Sequence, residues 1–306
     1  MNAIRYIQRN SECLIYKQET MTVMINTDDT TRQMPFYVNH YLCPPTMAAP
    51  DFFARASESG FRGVGLTQSV LQSQPHDELK ETLQRFGLGI SSLNSCGFFL
   101  QKGEPAIAQD ELNMWFLRQA AAFGLPTLNV IVGGSSTMPL KQAREKVTLQ
   151  LQHLAHTAAD MGVNLMLEPL HHLNVRSKSC LNSLSQLAPI FDQIPGLTLN
   201  ADLFHLWWDP DLERLLSGNF LPVGLLQICD VAMTPAQPLP RRVPLDEGHI
   251  PWRQYVRTLQ QSFPDTPIEL ELFADQLPGR DLNELLTKST SALLSINGET
   301  NDYCPN

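Results

Sequence analysis

The sequence predicts a single-domain (β/α)8 barrel, or TIM barrel, and three observations lead to this prediction. Eight short β-rich segments alternate with eight longer segments of helical period along the chain. Alternating β and α units require a parallel sheet, and eight repeats favour its closure into a barrel over an open doubly wound sheet. No GxGxxG motif follows the first strand candidate, which removes the main argument for a dinucleotide-binding fold.

Each strand candidate is a short β-rich segment. In chain order they read PFYVN (35–39), GVGLT (63–67), GISSLN (89–94), TLNVIV (127–132), NLMLEP (164–169), LTLNAD (197–202), VGLLQICD (223–230) and PIELELF (267–273). Helical periodicity follows each of them, at 47–59, 69–86, 109–123, 138–161, 181–193, 210–217, 251–262 and 280–294. Gly60, Gly124 and Gly162 stand where three of these helices should end, and a left-handed residue is favoured there.

Length and composition agree with one domain of this kind. The chain has 306 residues, of which 43% are hydrophobic. Because α/β barrels commonly reach ~250 residues as one unit, we assign the barrel to residues 35–295. Residues 1–34 are polar and lack a sustained period, so we predict a poorly ordered N-terminal extension, and residues 296–306 form a predicted C-terminal tail.

Charge and cysteine usage exclude several functional classes. The chain has 22 Lys+Arg against 31 Asp+Glu and no basic run, so it lacks the electrostatic pattern of a nucleic-acid or anionic-membrane binder. No apolar run approaches the ~20 residues of a membrane-spanning helix. Six cysteines without a CxxC pair are typical of reduced intracellular thiols. Without a secretory signal pattern, we predict a cytoplasmic protein.

Polar residues stand at or near the ends of four consecutive strand candidates. They are Glu168, Asp202, Gln227 and Glu271. In (β/α)8 barrels the catalytic groups lie at the C-terminal ends of the strands, so these side chains should converge. Three converging carboxylates repel one another, and a divalent cation removes that penalty. Oxygen ligands without thiolates or a His cluster favour Mg²⁺ or Mn²⁺, with some room for Co²⁺.

Five stretches of the chain carry a family resemblance. They read LMLEPLHH, LNADLFHLWWDPDL, LLQICD, RRVPLDEGHIPW and IELELF. In this order and spacing they resemble the xylose-isomerase-like TIM barrel group, the sugar phosphate isomerases/epimerases, and the resemblance runs from about 36 to 275. It implies that Glu168, Asp202, Gln227 and Glu271 hold one divalent metal ion. The sequence departs from the family at Gln227, where many members have His and where a neutral amide oxygen is a weaker ligand.

The resemblance also implies an activity: isomerisation or epimerisation of a keto sugar, polyol ketone or hydroxy-keto acid. In that chemistry the metal polarises a carbonyl, a carboxylate removes the neighbouring proton, and the resulting enediolate is reprotonated. Glu168 and Glu271 are the expected acid/base pair. Two alternatives stay open, namely a lyase or dehydratase that expels a substituent from the same enediolate, and a non-catalytic sugar-binding barrel.

Six further residues are expected to contact the substrate: His205, His171, Arg242, Trp207, Asn94 and His40. His205 matches the family's D-x-x-H motif, and Arg242, with Arg241 as the register alternative, lies in a segment similar to its R…G loop. A bidentate Arg would suit an anionic group. Trp207 either stacks on a sugar face or packs beneath the barrel rim.

Two other residues are expected to support the site rather than to contact the substrate. Asp230 should orient its own loop, and Glu269 should face inward with Glu271 by strand alternation. The predicted partner is a small sugar-like molecule. A homo-oligomer stays open, because barrels of this kind often pair through their loops.

Overall fold

The computed structural model describes residues 35–296 of the chain. The predicted N-terminal extension lies outside the described residues, as does the predicted C-terminal tail apart from Ile296. Within this part the strands are β1 (Phe36–Asn39), β2 (Gly63–Thr67), β3 (Gly89–Asn94), β4 (Cys96–Gly97), β5 (Thr127–Ile131), β6 (Asn164–Leu167), β7 (Thr198–Asp202), β8 (Val223–Ile228), β9 (Asp230–Thr234), β10 (Gln237–Val243) and β11 (Ile268–Leu270).

Nine of these strands form one parallel, nearly closed barrel. Their order in the sheet is β3-β2-β1-β11-β8-β7-β6-β5-β4. Only Ser95 separates β3 from β4, so the two edge strands of the sheet are consecutive in the chain and occupy one strand position of the barrel. The predicted eight strand positions and the predicted TIM barrel are therefore confirmed.

Helices follow the strands, as the alternating pattern predicts. They are α1 (Ala49–Glu58), α2 (Gln68–Ser73), α3 (His76–Arg85), α4 (Glu104–Phe123), α5 (Leu140–Asp160), α6 (Leu184–Phe191), α7 (Leu203–Leu206), α8 (Leu212–Leu216), α9 (Trp252–Ser262) and α10 (Leu282–Ser295). The segment 69–86, predicted as one helix, is two, because Pro75 cannot continue a helix and instead precedes α3 in an extended conformation. Gly124 ends α4 in the left-handed conformation that its position requires.

Several strands alternate between apolar residues and a single buried polar residue. In β5, for example, Asn129 lies between Leu128 and Val130, and all three are fully buried. Successive side chains of a strand point to opposite faces of the sheet, so the apolar residues pack under the helices while the polar residue faces the barrel lumen. The same pattern places Asn200, Gln227 and Glu269 in the lumen, where their side chains hydrogen bond across strands.

Strand β2 leaves room for these polar groups because it presents glycine to the lumen. A Cβ atom on Gly65 would lie 2.4 Å from Glu269 Oε2 and 2.7 Å from Ser92 Oγ. No such contact is tolerated between real atoms, so any side chain at this position would displace the Glu269 carboxylate. Position 65 must therefore be glycine for the Glu269 carboxylate to occupy the lumen.

An antiparallel hairpin, which the sequence analysis did not predict, follows β8. Its strands β9 and β10 pair with each other and not with the barrel sheet. Asp230 anchors the base of the hairpin by accepting backbone N–H groups from Val231 (2.8 Å), Gly248 (3.0 Å) and Ile250 (3.1 Å). The expectation that Asp230 orients its own loop is thus met. The hairpin brings Arg242, near the end of β10, into the barrel mouth.

Two further features of the described residues concern the apolarity of the helices and the state of the cysteines. Among residues 35–296, no helix combines the length and apolarity needed to span a bilayer. Cys43, Cys96, Cys180 and Cys229 are buried free thiols. Burial raises the pKa of each of them above its ordinary value. They are therefore protonated and behave as core residues near neutral pH.

Candidate metal centre

Three buried side chains converge at the C-terminal ends of β6 and β7. Glu168 follows β6 directly, Asp202 ends β7 and accepts the Phe204 N–H at 2.9 Å, and His205 lies on α7. His205 Nε2 is 3.8 Å from Glu168 Oε1 and 3.6 Å from Asp202 Oδ2. Each residue offers one ligand atom, and these atoms all lie within 4.8 Å of one another. The cluster could therefore hold a metal ion.

Arg242 joins this cluster to Glu271, the acidic residue that follows β11. Its guanidinium pairs with both carboxylate oxygens of Asp202, through Nη1 at 3.1 Å and through a short contact of Nη2. Nη2 also lies 2.8 Å from Glu271 Oε2. The guanidinium carbon also lies over the rings of Phe204 and Phe273, at 4.5 and 5.3 Å from their centroids. Arg242 is thus held inside the protein by two carboxylates and two aromatic rings.

Several buried carboxylates lie close together in the centre, and their pKa values are shifted from the ordinary ones. Burial, and next the neighbouring Asp202, raise the pKa of Glu168 to about 7, although a hydrogen bond from Asn129 opposes the shift. Burial likewise raises the pKa of Glu271 well above its ordinary value, with Arg242 opposing. Burial would also raise the pKa of Asp202, but Arg242 and His205 outweigh it and lower the value to about 2. A divalent cation would relieve this repulsion, so the donor set fits one.

His205 has a defined tautomer in this arrangement. Its Nδ1 accepts the backbone N–H of His171 at 3.1 Å. Burial lowers the pKa of His205 to about 3, so the ring is neutral near pH 7. A neutral imidazole that accepts at Nδ1 carries its proton on Nε2. His205 therefore points an N–H donor at the space between Glu168 and Asp202.

Gln227 has partners for both ends of its amide in the lumen below the cluster. Its Oε1 accepts from Asn200 Nδ2 at 2.8 Å, and its Nε2 donates to Glu269 Oε1 at 2.7 Å. Asn94 lies in the same layer, where it donates to Ser92 Oγ at 2.8 Å. Both residues therefore belong to the hydrogen-bonded interior beneath the centre.

The remaining predicted substrate residues lie at different distances from the cluster. His171 is buried beside it, through the backbone contact to His205, and burial lowers the pKa of His171 to about 4. His40 instead packs edge-on against Phe52 and Phe53 of α1, with ring centroids 5.1 and 5.9 Å away. Trp207 is half-buried and packs against the hydrophobic core.

Some residues near the centre escaped the sequence analysis. Tyr41 stacks on Phe273 at 4.8 Å, and its pKa is raised first by burial and then by the charges of Glu271 and Glu168. Asn129 donates to Glu168 Oε2 at 2.6 Å. A signal for Asn129 exists in the sequence, because a single polar residue inside an apolar strand indicates a lumen position. Nothing comparable distinguishes Tyr41 from other aromatic residues that follow a strand.

The family model described as xylose isomerase-like TIM barrel matches residues 53–294, which is most of the chain. The chain belongs to this family. The match includes Glu168, Asp202, His205, Arg242 and Glu271, so the whole candidate centre lies in the part of the chain that carries the family pattern. Among curated proteins, none matches the chain.

Solved structures with the same fold include enzymes of two kinds. The IolI protein with a bound zinc atom has a TM-score of 0.72 and 16% identity, over 86% of this chain and 98% of that one. A D-allulose 3-epimerase from Methylomonas sp. has a TM-score of 0.67 and 19% identity, over 86% and 98%. The probable 3-DHS dehydratase AsbF from Bacillus anthracis has a TM-score of 0.67 and 16% identity, over 85% and 99%. Xylose isomerase-like TIM barrels thus include an epimerase and a dehydratase, and at these identities the likeness shows the fold.

Proposed function

We propose that this family member is a divalent-metal-dependent isomerase or epimerase of a small keto sugar, polyol ketone or hydroxy-keto acid. The observation that carries the proposal is the placement of two buried carboxylates. Glu168 and Glu271 extend from non-adjacent strands, and each is 4% exposed. Both interact electrostatically with Asp202. Two carboxylates placed in this way can remove a proton from one carbon and return it to another position of the same small substrate.

The carboxylates of Glu168, Asp202 and Glu271 would hold the metal ion, and oxygen ligands of this kind suit Mn²⁺ or Mg²⁺, with Co²⁺ also compatible. Gln227, the fourth expected ligand, instead has both ends of its amide hydrogen bonded to Asn200 and Glu269, and His205 directs its Nε2–H rather than a lone pair at the site. When bound, such an ion polarises a substrate carbonyl and acidifies the adjacent C–H. Arg242 keeps Asp202 ionised and fixes the side chain of Glu271 through its ion pair. His205 donates its Nε2–H to a substrate oxygen, as the family resemblance implies.

Glu168 is positioned for proton transfer by its hydrogen bonds. Its Oε2 accepts from Asn129 at 2.6 Å and from Asn200 at 3.3 Å. Oε1 is the oxygen that faces His205. A proton can therefore be exchanged at Oε1 while the carboxylate stays in place, which is the preorganisation that acid/base catalysis requires.

Glu168→Gln and Glu271→Gln test the proposal. The purified protein, loaded with Mn²⁺, is screened against ketoses, inososes and hydroxy-keto acids, and incorporation of solvent deuterium is followed by NMR. Each variant should lose ~10²–10⁴-fold in turnover, the usual contribution of a positioned acid or base. Glu81→Gln, on the exposed face of α3, is the matched control and should keep wild-type turnover. Turnover that survives both site variants would show the acid/base assignment to be wrong.

A lyase or dehydratase is the second candidate, and the tautomer of His205 favours it. A buried N–H donor next to Glu168 could hydrogen bond to a departing hydroxyl group, and Glu168 could pass to that hydroxyl the proton it has removed from the neighbouring carbon, so that water leaves. Product analysis separates the two activities. A lyase creates a new C=C absorbance, whereas an isomerase or epimerase conserves the composition of its substrate.

A further inference from the structure

A closed ring of hydrogen-bonded side chains lies in the barrel lumen beneath the candidate metal centre. This lumen ring consists of Ser92, Asn94, Asn129, Glu168, Asn200, Gln227 and Glu269. None of its members is more than 4% exposed. The ring has two arms, and each arm joins the carboxylate of Glu269 to the carboxylate of Glu168.

The first arm runs through Gln227 and Asn200. Gln227 Nε2 donates to Glu269 Oε1 at 2.7 Å. Asn200 Nδ2 then donates to Gln227 Oε1 at 2.8 Å and also to Glu168 Oε2 at 3.3 Å. The two hydrogens of the Asn200 amide therefore point in opposite directions along the arm, one to each side.

The second arm runs through Ser92, Asn94 and Asn129. As in the first arm, hydrogen bonds are donated to Glu269 at one end and to Glu168 at the other. Ser92 Oγ donates to Glu269 Oε2 at 2.8 Å, and Asn94 Nδ2 donates to Ser92 Oγ at 2.8 Å. Asn129 Nδ2 completes the arm by donating to Asn94 Oδ1 at 3.0 Å and to Glu168 Oε2 at 2.6 Å. In both arms, the last amide group donates to the same oxygen of Glu168.

Glu269 determines this polarity because every side chain that hydrogen bonds to its two carboxylate oxygens is a donor to them. The two ends of an amide have nearly the same shape, so packing alone does not decide which end of Gln227 faces Glu269. Glu269 accepts two further bonds, from Asn39 Nδ2 at 2.7 Å and from Ser91 Oγ. Four uncharged donors thus surround it, and each of its neighbours must present a hydrogen.

The oxygen atoms of the two terminal amides support an orientation that is set by the carboxylates. Asn129 Oδ1 and Asn200 Oδ1 are buried and have no hydrogen-bond partner among the described residues. An unpaired buried carbonyl is unfavourable, so an arrangement that optimised each amide separately would avoid it. Instead, both amides direct their hydrogens to Glu168 Oε2 and into the ring.

We propose that Glu269 is a positioning residue for the metal centre. By setting the donor direction of both arms, it holds the Glu168 carboxylate with Oε2 bound below and Oε1 directed at the centre. The same hydrogen bonds keep Gln227 in the ring and out of the set of metal ligands. The change in kcat expected from this inference rests on the proposed function. The expected change in metal affinity depends only on Glu168 being a metal ligand.

Glu269→Gln tests the inference, because it preserves shape and replaces an acceptor by a donor. The amide NH2 of the new side chain opposes either the donor of Gln227 or the donors of the two serines, and so disturbs one of the two arms. In the metal-free protein, Mn²⁺ affinity measured by calorimetry should fall ~10–100-fold, the usual effect of removing a partner that orients a metal ligand. In the loaded enzyme kcat should fall similarly, with little change in KM. Glu81→Gln is the surface control for both measurements.

A second variant separates positioning from packing. Gln227→Glu combined with Glu269→Gln exchanges donor and acceptor between neighbouring strands and conserves the charge of the lumen. The pair should recover most of the lost Mn²⁺ affinity, and circular dichroism should show wild-type secondary structure. Wild-type Mn²⁺ affinity in Glu269→Gln alone would overturn the inference, and so would a double variant that binds no better than Glu269→Gln.

The outcome for Glu168→Gln distinguishes the two proposals. If Glu168→Gln weakens Mn²⁺ binding and Glu269→Gln does not, only the positioning role fails. If Glu168→Gln binds Mn²⁺ as tightly as the wild type, the proposed metal centre fails as well. Should Glu269→Gln not fold, Ser92→Ala removes one hydroxyl from the second arm and should weaken Mn²⁺ binding in the same direction. Unchanged affinity in Ser92→Ala would then overturn the inference.

Discussion

Arg242 shows, at the scale of one residue, how this barrel tolerates charge in its interior. Its guanidinium neutralises part of the charge of Asp202 and Glu271 and lies over the rings of Phe204 and Phe273. A buried ion pair adds little net stability when it is intact, because both ions lose their hydration. Removing one partner is costly, because the other charge is left buried and uncompensated. The position of Arg242 therefore makes a strong prediction about stability.

Arg242→Met should lower the free energy of unfolding of the metal-free protein by ~3–5 kcal/mol, because it removes the charge and retains much of the side-chain volume. Denaturant-induced unfolding followed by circular dichroism measures the change. Arg280→Met, which breaks the partly exposed ion pair with Glu247, is the control and should cost less than ~1 kcal/mol. An equal, small effect of both substitutions would contradict the role assigned to Arg242.

His40 supports a prediction on pH dependence. Burial lowers its pKa to about 4, whereas an unfolded histidine takes up a proton near its ordinary value of ~6.5. Between these values the unfolded state binds a proton that the native state does not, so the free energy of unfolding falls as the pH falls from about 6.5 to about 4. His40→Gln cannot titrate and should make this decline shallower, as measured by urea unfolding at several pH values.

The exposed helical residue His153 provides the control for this experiment. His171 and His205 are also buried with lowered pKa values and contribute in the same direction, so only the difference between wild type and variant reports on His40. The slope in His40→Gln is compared with the slope in His153→Gln, which replaces an exposed histidine. An unchanged slope in His40→Gln would show that the environment of His40 does not oppose its protonation.

At the scale of single elements, the strands and most helices were predictable because their periodicity is local. The acidic residues at the C-terminal ends of β6, β7 and β11 were predictable for the same reason, since a polar residue at the end of an apolar strand stands out. Asn129 and Asn200 were missed because they lie inside β5 and β7 and not at strand ends, although alternation within these strands already indicates the lumen. The hairpin was missed because Pro238 and Pro240 in β10 oppose a strand, and they are tolerated only because β10 lies outside the barrel sheet.

The hairpin of β9 and β10 places Arg242 in the barrel mouth, and Asp230 fixes the base of this hairpin. Asp230→Ala would leave three backbone N–H groups without their acceptor, which should destabilise this region by ~1–3 kcal/mol. We expect faster amide hydrogen exchange in 230–243 and a lower kcat, because Arg242 would no longer be held in place. Asp230→Asn keeps one acceptor oxygen and should show a smaller effect. Unaltered exchange in Asp230→Ala would contradict the anchoring role.

For the whole molecule, composition and the alternation of β and α segments predicted the barrel. The hydrogen bonds between side chains in its lumen were found only in the structure. No sequence rule indicates that Gln227 turns both ends of its amide to Asn200 and Glu269, because this depends on contacts between strands distant in the chain. The pairing of Arg242 with Asp202 depends likewise on a hairpin that the sequence analysis did not predict. Local pattern thus identifies polar residues at the ends of strands, and long-range hydrogen bonding decides which side chains each of them contacts.

Deleting residues 1–34 tests the predicted domain boundary. The described sheet is built entirely from 36–270, and β1 is already paired on both sides, with β2 and with β11. We expect the shortened protein to unfold at the same temperature as the full chain and to retain its turnover of any substrate found in the screen. A large loss of either property would show that the first 34 residues contribute to the fold or to the site.

The four buried thiols have a practical consequence for following the behaviour of the barrel as a whole. Since Cys43, Cys96, Cys180 and Cys229 lie on different parts of the chain and are shielded in the native fold, alkylating reagents should reach them only when the surrounding structure opens. With Cys13 and Cys304 replaced by serine, the rate of labelling at each remaining sulfur reports how often its own sector opens. The labelling rates of the four thiols can therefore distinguish local opening, which exposes them at different rates, from global unfolding, which exposes them together.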